Sequence, residues 1–201
     1  MMLDIRNILD NPILYSAWQG PFAAQKIIRG IPHDAREKCQ SVLDIGCGPG
    51  VSRSFFPNKE YVGVDINPKY IKSARKRFED RFICASCLDL TMLDSESFDF
   101  ILINSLLHHL SDDDCSETIK QAKRLLKKNG EMYILELLIP PHSCHLATFI
   151  CKKDRGDYPR AASAWESLVA QQIEVVVSHT FWLTLYRMQL WQMISIKARN
   201  E

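Results

Sequence analysis

The sequence predicts an α/β fold in which helices cover both faces of a doubly wound sheet. Two observations carry this. Short apolar, β-rich runs alternate with segments of helical periodicity, the signature of right-handed βαβ units. The last two such runs follow each other with no room for a long helix between them, so they pair antiparallel. At 201 residues the chain has the length of a single domain with a full core.

The elements follow in order. Asn11-Pro12 reads as an N-cap with proline in the first helical turn, and Ile13, Leu14, Ala17 and Trp18 recur at helical spacing. Gly20-Pro21 predicts an interruption, and a second helical segment, Phe22 to Arg29, ends at Gly30-Ile31-Pro32. Residues 1–37 therefore read as a helical lid across the core, and the sheet is expected to fold without the first 30 residues. Val42–Ile45, Tyr61–Asp65, Arg81–Ala85, Phe98–Asn104 and Glu131–Leu138 are runs apolar enough to be buried on both faces, as parallel strands require. Between them, Asn67-Pro68 opens a helix carrying Ile71, Ala74, Arg75 and Phe78. Ser111 caps another, with Asp112, Asp113 and Asp114 at the positive end of its dipole. Its stripe of Ile119, Ala122, Leu125 and Leu126 is expected to stop at Asn129-Gly130. After Pro140-Pro141 comes a mixed helical stretch from His145 to Gln171. Two strands, Ile173–Thr180 and Trp191–Lys197, complete the chain. The single domain thus divides into a lid (1–37), a core (38–139) and substrate-side helices with the antiparallel pair (140–201).

Charge excludes some partners. With 25 basic and 24 acidic residues, net charge +1, nothing advertises a nucleic acid or anionic membrane. The basic stretches at Lys72–Arg77 and Lys123–Lys128 read as solvated helix faces. Seven scattered cysteines form no disulfide framework. With no signal-peptide run and no transmembrane stretch, the expected location is cytoplasmic. Cys84 and Cys87 make a single C-x-x-C without a second pair, and His142, Cys144 and His145 read as loop residues, so no metal is expected.

The chemistry concentrates at Asp44-Ile45-Gly46-Cys47-Gly48-Pro49-Gly50, directly after the first strand. Glycines there allow a tight turn and the close approach of a ligand. The site lies beyond the carboxyl end of a parallel strand, where open α/β sheets bind ligands. Val62-Gly63-Val64-Asp65 is a second strand ending in an acid 19 residues after Gly46, and a carboxylate there can accept both hydroxyls of a ribose. Asp65 also reads as a helix N-cap, although Asn67 fills that place. A nicotinamide-dependent oxidoreductase is the chief rival, but its G-x-G-x-x-G has no match: the third glycine comes one position early and Val51 stands sixth.

The runs Val42–Gly50 and Gly63-Val64-Asp65 resemble motifs one and two of class I, Rossmann-like S-adenosylmethionine-dependent methyltransferases, of the small bacterial type. Ser97–Asn104, Ser105–Leu110 and Leu125–Glu131 resemble, in order, the family's fourth strand, the segment after it and the turn into strand five. The resemblance spans about residues 38–139. It implies seven strands in the order 3-2-1-4-5-7-6 with β7 antiparallel, and S-adenosyl-L-methionine as cofactor. It implies that Asp44 orients the methionine amino group and that the backbone of Gly46, Cys47 and Gly48 wraps the methionine and ribose. Asp65 would hold the ribose diol, Ile66 would pack on adenine, and Asn104 and Ser105 would line the methionine side. One position departs: the family's acid after strand three, which accepts the adenine amine, is Ser86 here. Adenine is then left to Ser86, the backbone of Cys87 and Leu88, or a displaced Asp89.

A sulfonium methyl is already an electrophile, so alignment for in-line displacement is the main need. A base is required only for an acceptor that must lose a proton. His108, His109, Glu136, His142 and His145 lie near strand ends. The adjacent histidines are expected to point in different directions, and His109 is the choice because its equivalent in relatives faces the cleft. Tyr15, Trp18, Tyr158, Trp165, Tyr186 and Trp191 read as pocket roof or as packing. Asp154–Arg160 resembles the substrate-side insertion of some family members. Enzymes that methylate a base amine carry an N-P-P-Y-like run after strand four. Asn104-Ser105-Leu106-Leu107 stands there instead, which with the balanced charge favours a small-molecule acceptor, lipid-like or a secondary metabolite. A cofactor-binding member without turnover is the remaining alternative.

Overall fold

A computed structural model describes residues 12–139 and 158–200, with side chains from residue 20 onward. Seven strands form one sheet: β1 Ser41–Ile45, β2 Glu60–Asp65, β3 Arg81–Cys84, β4 Phe98–Asn104, β5 Leu126–Leu137, β6 Glu174–Leu185 and β7 Met188–Arg199. Their order is β3-β2-β1-β4-β5-β7-β6, as expected. The first five run parallel, with Asp44 opposite Gly63 on β2 and Leu102 on β4. β7 enters antiparallel between β5 and β6, pairing Ile134 with Ile196 on one side and Thr180 with Ile194 on the other.

The central strands are apolar throughout because both faces are covered. Helices α1 (Pro12–Gly30), α2 (His33–Lys38) and α3 (Pro68–Arg77) bury Phe22, Ile27, Ala35, Ile71 and Ala74 with Val42, Phe100, Leu102 and Leu135 of the sheet. Helices α4 (Asp112–Leu125) and α5 (Ala162–Ala170) bury Ile119, Ala122, Leu125, Trp165 and Val169 with Leu43, Ile101 and Ile134 on the other face. Caps fall where the residue types place them. Asn67 accepts from the Lys69 amide at 3.0 Å, and Ser111 from the Asp114 amide at 3.2 Å.

Three expectations need correction. The first is the break at Gly20-Pro21, because α1 runs unbroken through both residues. Proline removes one helical hydrogen bond, but glycine before it has no Cβ to clash with the ring. Tertiary contacts then hold the helix. Phe22 meets Trp191 edge-on at 4.9 Å, the Gln25 amide bonds both the N–H (3.0 Å) and the carbonyl (2.8 Å) of Thr184, and the Ser195 hydroxyl donates to the Gly30 carbonyl at 2.6 Å. The helix therefore packs into the core and along the outer edge of β6.

Second, α4 stops at Leu125 rather than at Asn129-Gly130. Leu126 already pairs with Phe98 as the first residue of β5, and the amides of Glu96 and Ser97 take the carbonyls of Arg124 and Leu125. Those bonds satisfy orphan helix carbonyls and make a longer helix unnecessary. Asn129, at φ 61°, absorbs the irregularity that follows. Third, β6 and β7 reach far beyond Ile173–Thr180 and Trp191–Lys197. They zip into a hairpin whose two turn residues, Tyr186 and Arg187, both take positive φ (48° and 67°). That geometry suits the strands' twist, but neither residue type signals it. Of the stretch expected to be helical from His145 to Gln171, the described part begins at Tyr158 and is helical only over α5. Asn11, the side chains of Tyr15 and Trp18, Pro140-Pro141, His142, Cys144, His145 and Asp154–Asp157 lie outside the described residues.

Candidate cofactor and active site

The carboxyl ends of β1, β2 and β4 converge on the glycine turn. Gly46, Gly48 and Gly50 all have positive φ (77°, 55° and 79°). A Cβ on Gly46 would lie 3.1 Å from the Leu106 side chain, so the turn sits directly against the segment that follows β4. The amides of Gly46 and Cys47 both donate to the Val64 carbonyl, at 2.8 and 3.0 Å, tying the turn to β2. Cys47 is buried, and its sulfur would be 2.8 Å from a Cβ on Gly63. Gly63 is therefore glycine for packing as well.

Asp65, closing β2, accepts from the Gly48 amide at 2.9 Å and from the Asn67 amide at 2.8 Å, one bond on each oxygen. Burial raises its carboxyl above the ordinary range, and the two amides oppose that. An ionised carboxylate has about four acceptor sites, so room remains for a diol. Ile66 follows with 73% of its surface exposed, an apolar side chain held in the open beside that acid. Asp44 is wholly buried at the end of β1. The Tyr61 hydroxyl donates to its Oδ2, while Oδ1 has no hydrogen-bond partner among the described residues. Burial pushes its pKa up to about 7, with the Tyr61 bond opposing, the Asp65 charge adding and the nearby buried Ser52 hydroxyl opposing more weakly. A buried acceptor left unmatched is costly, and a cationic donor arriving there would relieve that cost.

After β3, the Ser86 hydroxyl accepts from the Leu88 amide at 3.2 Å and its carbonyl from the Asp89 amide at 3.2 Å. Cys87 is half-buried against the Thr118 hydroxyl. The exposed Asp89 carboxylate is engaged by the Thr91 amide and hydroxyl, at 3.2 and 2.7 Å. The Ala85 amide donates to the Asp65 carbonyl at 3.1 Å, which ties the start of the Ser86–Leu88 segment to the end of β2.

The segment after β4 is organised by one buried acid. Glu136 on β5 accepts from the amides of Leu106 (2.8 Å) and Leu107 (2.6 Å) on one oxygen, and meets His108 Nδ1 at 2.7 Å with the other. Burial would raise its pKa, but the charge and hydrogen bond of His108 and the two amides hold it below the ordinary value. His109 is exposed beside it. The rings of His108 and His109 are not divergent as expected: their centroids are 4.1 Å apart at 40°. The geometry follows from the 3-10 turn at Leu107–His109, which Glu136 closes from below. Sequence reasoning placed Glu136 among the possible bases and missed its part as the anchor of this loop.

Two further residues carry no motif. Arg160 bonds Asp112 Oδ1 (2.9 Å) and the carbonyls of Leu110 (3.0 Å) and Tyr158 (3.0 Å), and its guanidinium lies 4.6 Å over the Trp165 ring. It clamps the histidine loop to the returning chain. Trp165 itself is wholly buried, with its indole N–H on the Leu137 carbonyl, so it packs rather than roofs a pocket. Lys26 of α1, buried to 6% exposure, donates from Nζ to the Ser105 hydroxyl at 2.9 Å. Its sequence context, an amphipathic helix, gave no signal.

Known proteins share this arrangement. Residues 43–134 match the methyltransferase domain family. An uncharacterised methyltransferase of Schizosaccharomyces pombe is 30% identical over 112 residues, 49% of this chain and 39% of that protein. The demethylmenaquinone methyltransferase of Thermotoga maritima is 34% identical over 106 residues, 50% of this chain and 45% of that protein. The chain therefore spans less than half the length of these two relatives. A solved S-adenosylmethionine-dependent methyltransferase of Thermotoga maritima, described as a possible histamine N-methyltransferase, superposes with a TM-score of 0.73 at 17% identity, covering 97% of this chain and 99% of that one. Sheet order and glycine turn agree with that domain signature, which covers just under half of the chain: residues 43–134 resemble the methyltransferase domain family.

Proposed function

We propose that this chain transfers the methyl group of S-adenosylmethionine to a small-molecule acceptor. The observation that carries the reading is the pair of carboxylates, Asp44 and Asp65, closing adjacent strands on either side of the glycine turn, with one Asp44 oxygen unmatched. In this reading Asp65 holds the ribose diol and Ile66 packs on adenine. Ser86 with the Cys87 and Leu88 backbone borders the adenine edge. Gly46, Cys47 and Gly48 follow the sugar and methionine, Asn104 and Ser105 line the methionine side, and Asp44 meets its amino group. The bound cofactor supplies a methyl already activated toward displacement, so the chain's part is to align and to dehydrate.

For an acceptor that must lose a proton, His109 takes it. His109 is the exposed ring of the closely packed pair, while Glu136 and His108 hold the loop from which it projects. General-base assistance of this kind is worth roughly 10²–10⁴-fold. α1 lies over the carboxyl end of β4 through Lys26, which supports a covering role beside its structural one. A small acceptor is favoured by Asn104-Ser105-Leu106-Leu107 in place of an aromatic base-stacking run, by the balanced charge, and by a relative named for demethylmenaquinone.

The test is turnover. The protein is incubated with S-adenosylmethionine and panels of quinols, phenols, carboxylic acids and amines, with an RNA panel alongside, and demethylated cofactor is quantified. Acceptor-dependent product with a small molecule is expected, reduced about 10²-fold or more in His109→Ala at unchanged cofactor affinity. Turnover on RNA alone, or on nothing while the cofactor binds, contradicts the reading. Loss in His108→Ala with His109→Ala unaffected moves the proton to the other ring.

A further inference from the structure

We infer that Lys26 is the anion-binding end of the methionine site: its ammonium receives the cofactor's α-carboxylate. The inference rests on the cofactor reading above and adds a residue outside every motif of the sequence.

Backbone donors around the turn are already committed to the protein. The amides of Gly46 and Cys47 go to the Val64 carbonyl, that of Gly48 to Asp65, and that of Gly50 to the Cys47 carbonyl. Across the turn, the Ser105 amide goes to the Leu135 carbonyl, and those of Leu106 and Leu107 to Glu136. A carboxylate laid along this edge meets none of those N–H groups and needs a cation. Lys26 is the only buried lysine or arginine among the described residues, and it sits on this edge. Its Nζ donates to the Ser105 hydroxyl, which in turn donates to Asn104 Oδ1 at 3.2 Å. Ser105 holds a left-handed φ of 56°, a conformation that is strained for a non-glycine residue and collects at functional sites. Leu106, the next residue, touches the Gly46 turn. The turn is thus bordered by a buried acid, Asp44, and a buried base, Lys26. That charge pattern complements a zwitterionic amino acid, with the ammonium to Asp44 and the carboxylate to Lys26. A charge-assisted bond in a site shielded from water is among the stronger polar contacts, and losing it costs about tenfold or more in affinity.

The experiment is calorimetric titration of the whole protein with S-adenosylmethionine, decarboxylated S-adenosylmethionine and 5′-methylthioadenosine, repeated with Lys26→Met. Wild type is expected to bind S-adenosylmethionine about tenfold or more tightly than its decarboxylated form. Lys26→Met should bind those two alike while keeping its affinity for methylthioadenosine. Wild type that binds methylthioadenosine but does not distinguish the first two overturns the Lys26 assignment alone. The same holds for Lys26→Met that retains the preference, or that loses all three ligands in equal proportion. Wild type that binds none of the three overturns the cofactor reading together with this one. If Lys26→Met does not fold, Lys26→Arg and Lys26→Gln take its place: the first is expected to keep the preference and the second to lose it, and a Lys26→Gln protein that keeps it overturns the assignment.

Discussion

At the scale of single residues the site is a matter of where charge is buried and what meets it. Asp44 has a folded-state pKa of about 7 against an ordinary 3.8. The free protein therefore keeps a proton that the unfolded chain has lost, and its stability falls as pH rises from about 4 to about 7. A cation bound at Oδ1 draws that pKa down and expels the proton. Cofactor affinity is thus predicted to weaken below pH 7, by up to about tenfold per pH unit, and calorimetry in buffers of different ionisation enthalpy should register proton release. Asp44→Asn should bind weakly with no such slope. Asp65→Ala removes acceptors worth about 1.5–3 kcal/mol each, so affinity should fall by about tenfold or more; unchanged affinity would contradict the ribose assignment. Gly63→Ala sets a Cβ at 2.6 Å from the Phe82 ring and 2.8 Å from the Cys47 sulfur. It should cost about 1–3 kcal/mol in urea unfolding. Asp44 and Asp65 were legible because each closes an apolar run beside glycines. Lys26 and the Glu136 anchor were not, since their meaning depends on partners 79 and 28 residues away.

At the scale of elements, the sequence marked where chains turn better than where they continue. Asn67-Pro68 and Ser111 opened helices as read, because capping is local chemistry. Gly20-Pro21 misled, because buried side chains on the far side of the dipeptide outweigh one lost helical bond. The consequence is measurable. Ile27 is fully buried between α1 and the sheet, so Ile27→Ala should cost about 2–5 kcal/mol. Deleting residues 1–30 should likewise lower the melting temperature of the whole circular dichroism signal, not of a helical fraction alone. The Tyr186-Arg187 turn escaped notice because it holds two positive-φ positions without glycine or asparagine. Replacing it by Asn-Gly should stabilise the hairpin by about 1–2 kcal/mol, read as a higher melting temperature. Arg160 illustrates the opposite difficulty. It joins Asp112, Leu110 and Tyr158, three places whose proximity no local pattern announces.

For the molecule as a whole, alternation of apolar runs and helical patterns sufficed for the fold class, because a parallel sheet must be apolar on both faces and its crossovers must be helical. The strand order came from family resemblance, and the antiparallel β7 followed from the short connection before it. That topology gathers the ends of β1, β2 and β4 at the carboxyl end of the sheet, where open α/β folds form their ligand crevice at the switch in strand order. No helix among the described residues is long and apolar enough to cross a membrane. The account stands on what that crevice accepts. Titrating the wild-type protein with S-adenosylmethionine and, separately, with a nicotinamide dinucleotide measures this directly. Saturable one-to-one binding of the first, and none of the second, is predicted. Binding of the dinucleotide in preference would contradict it.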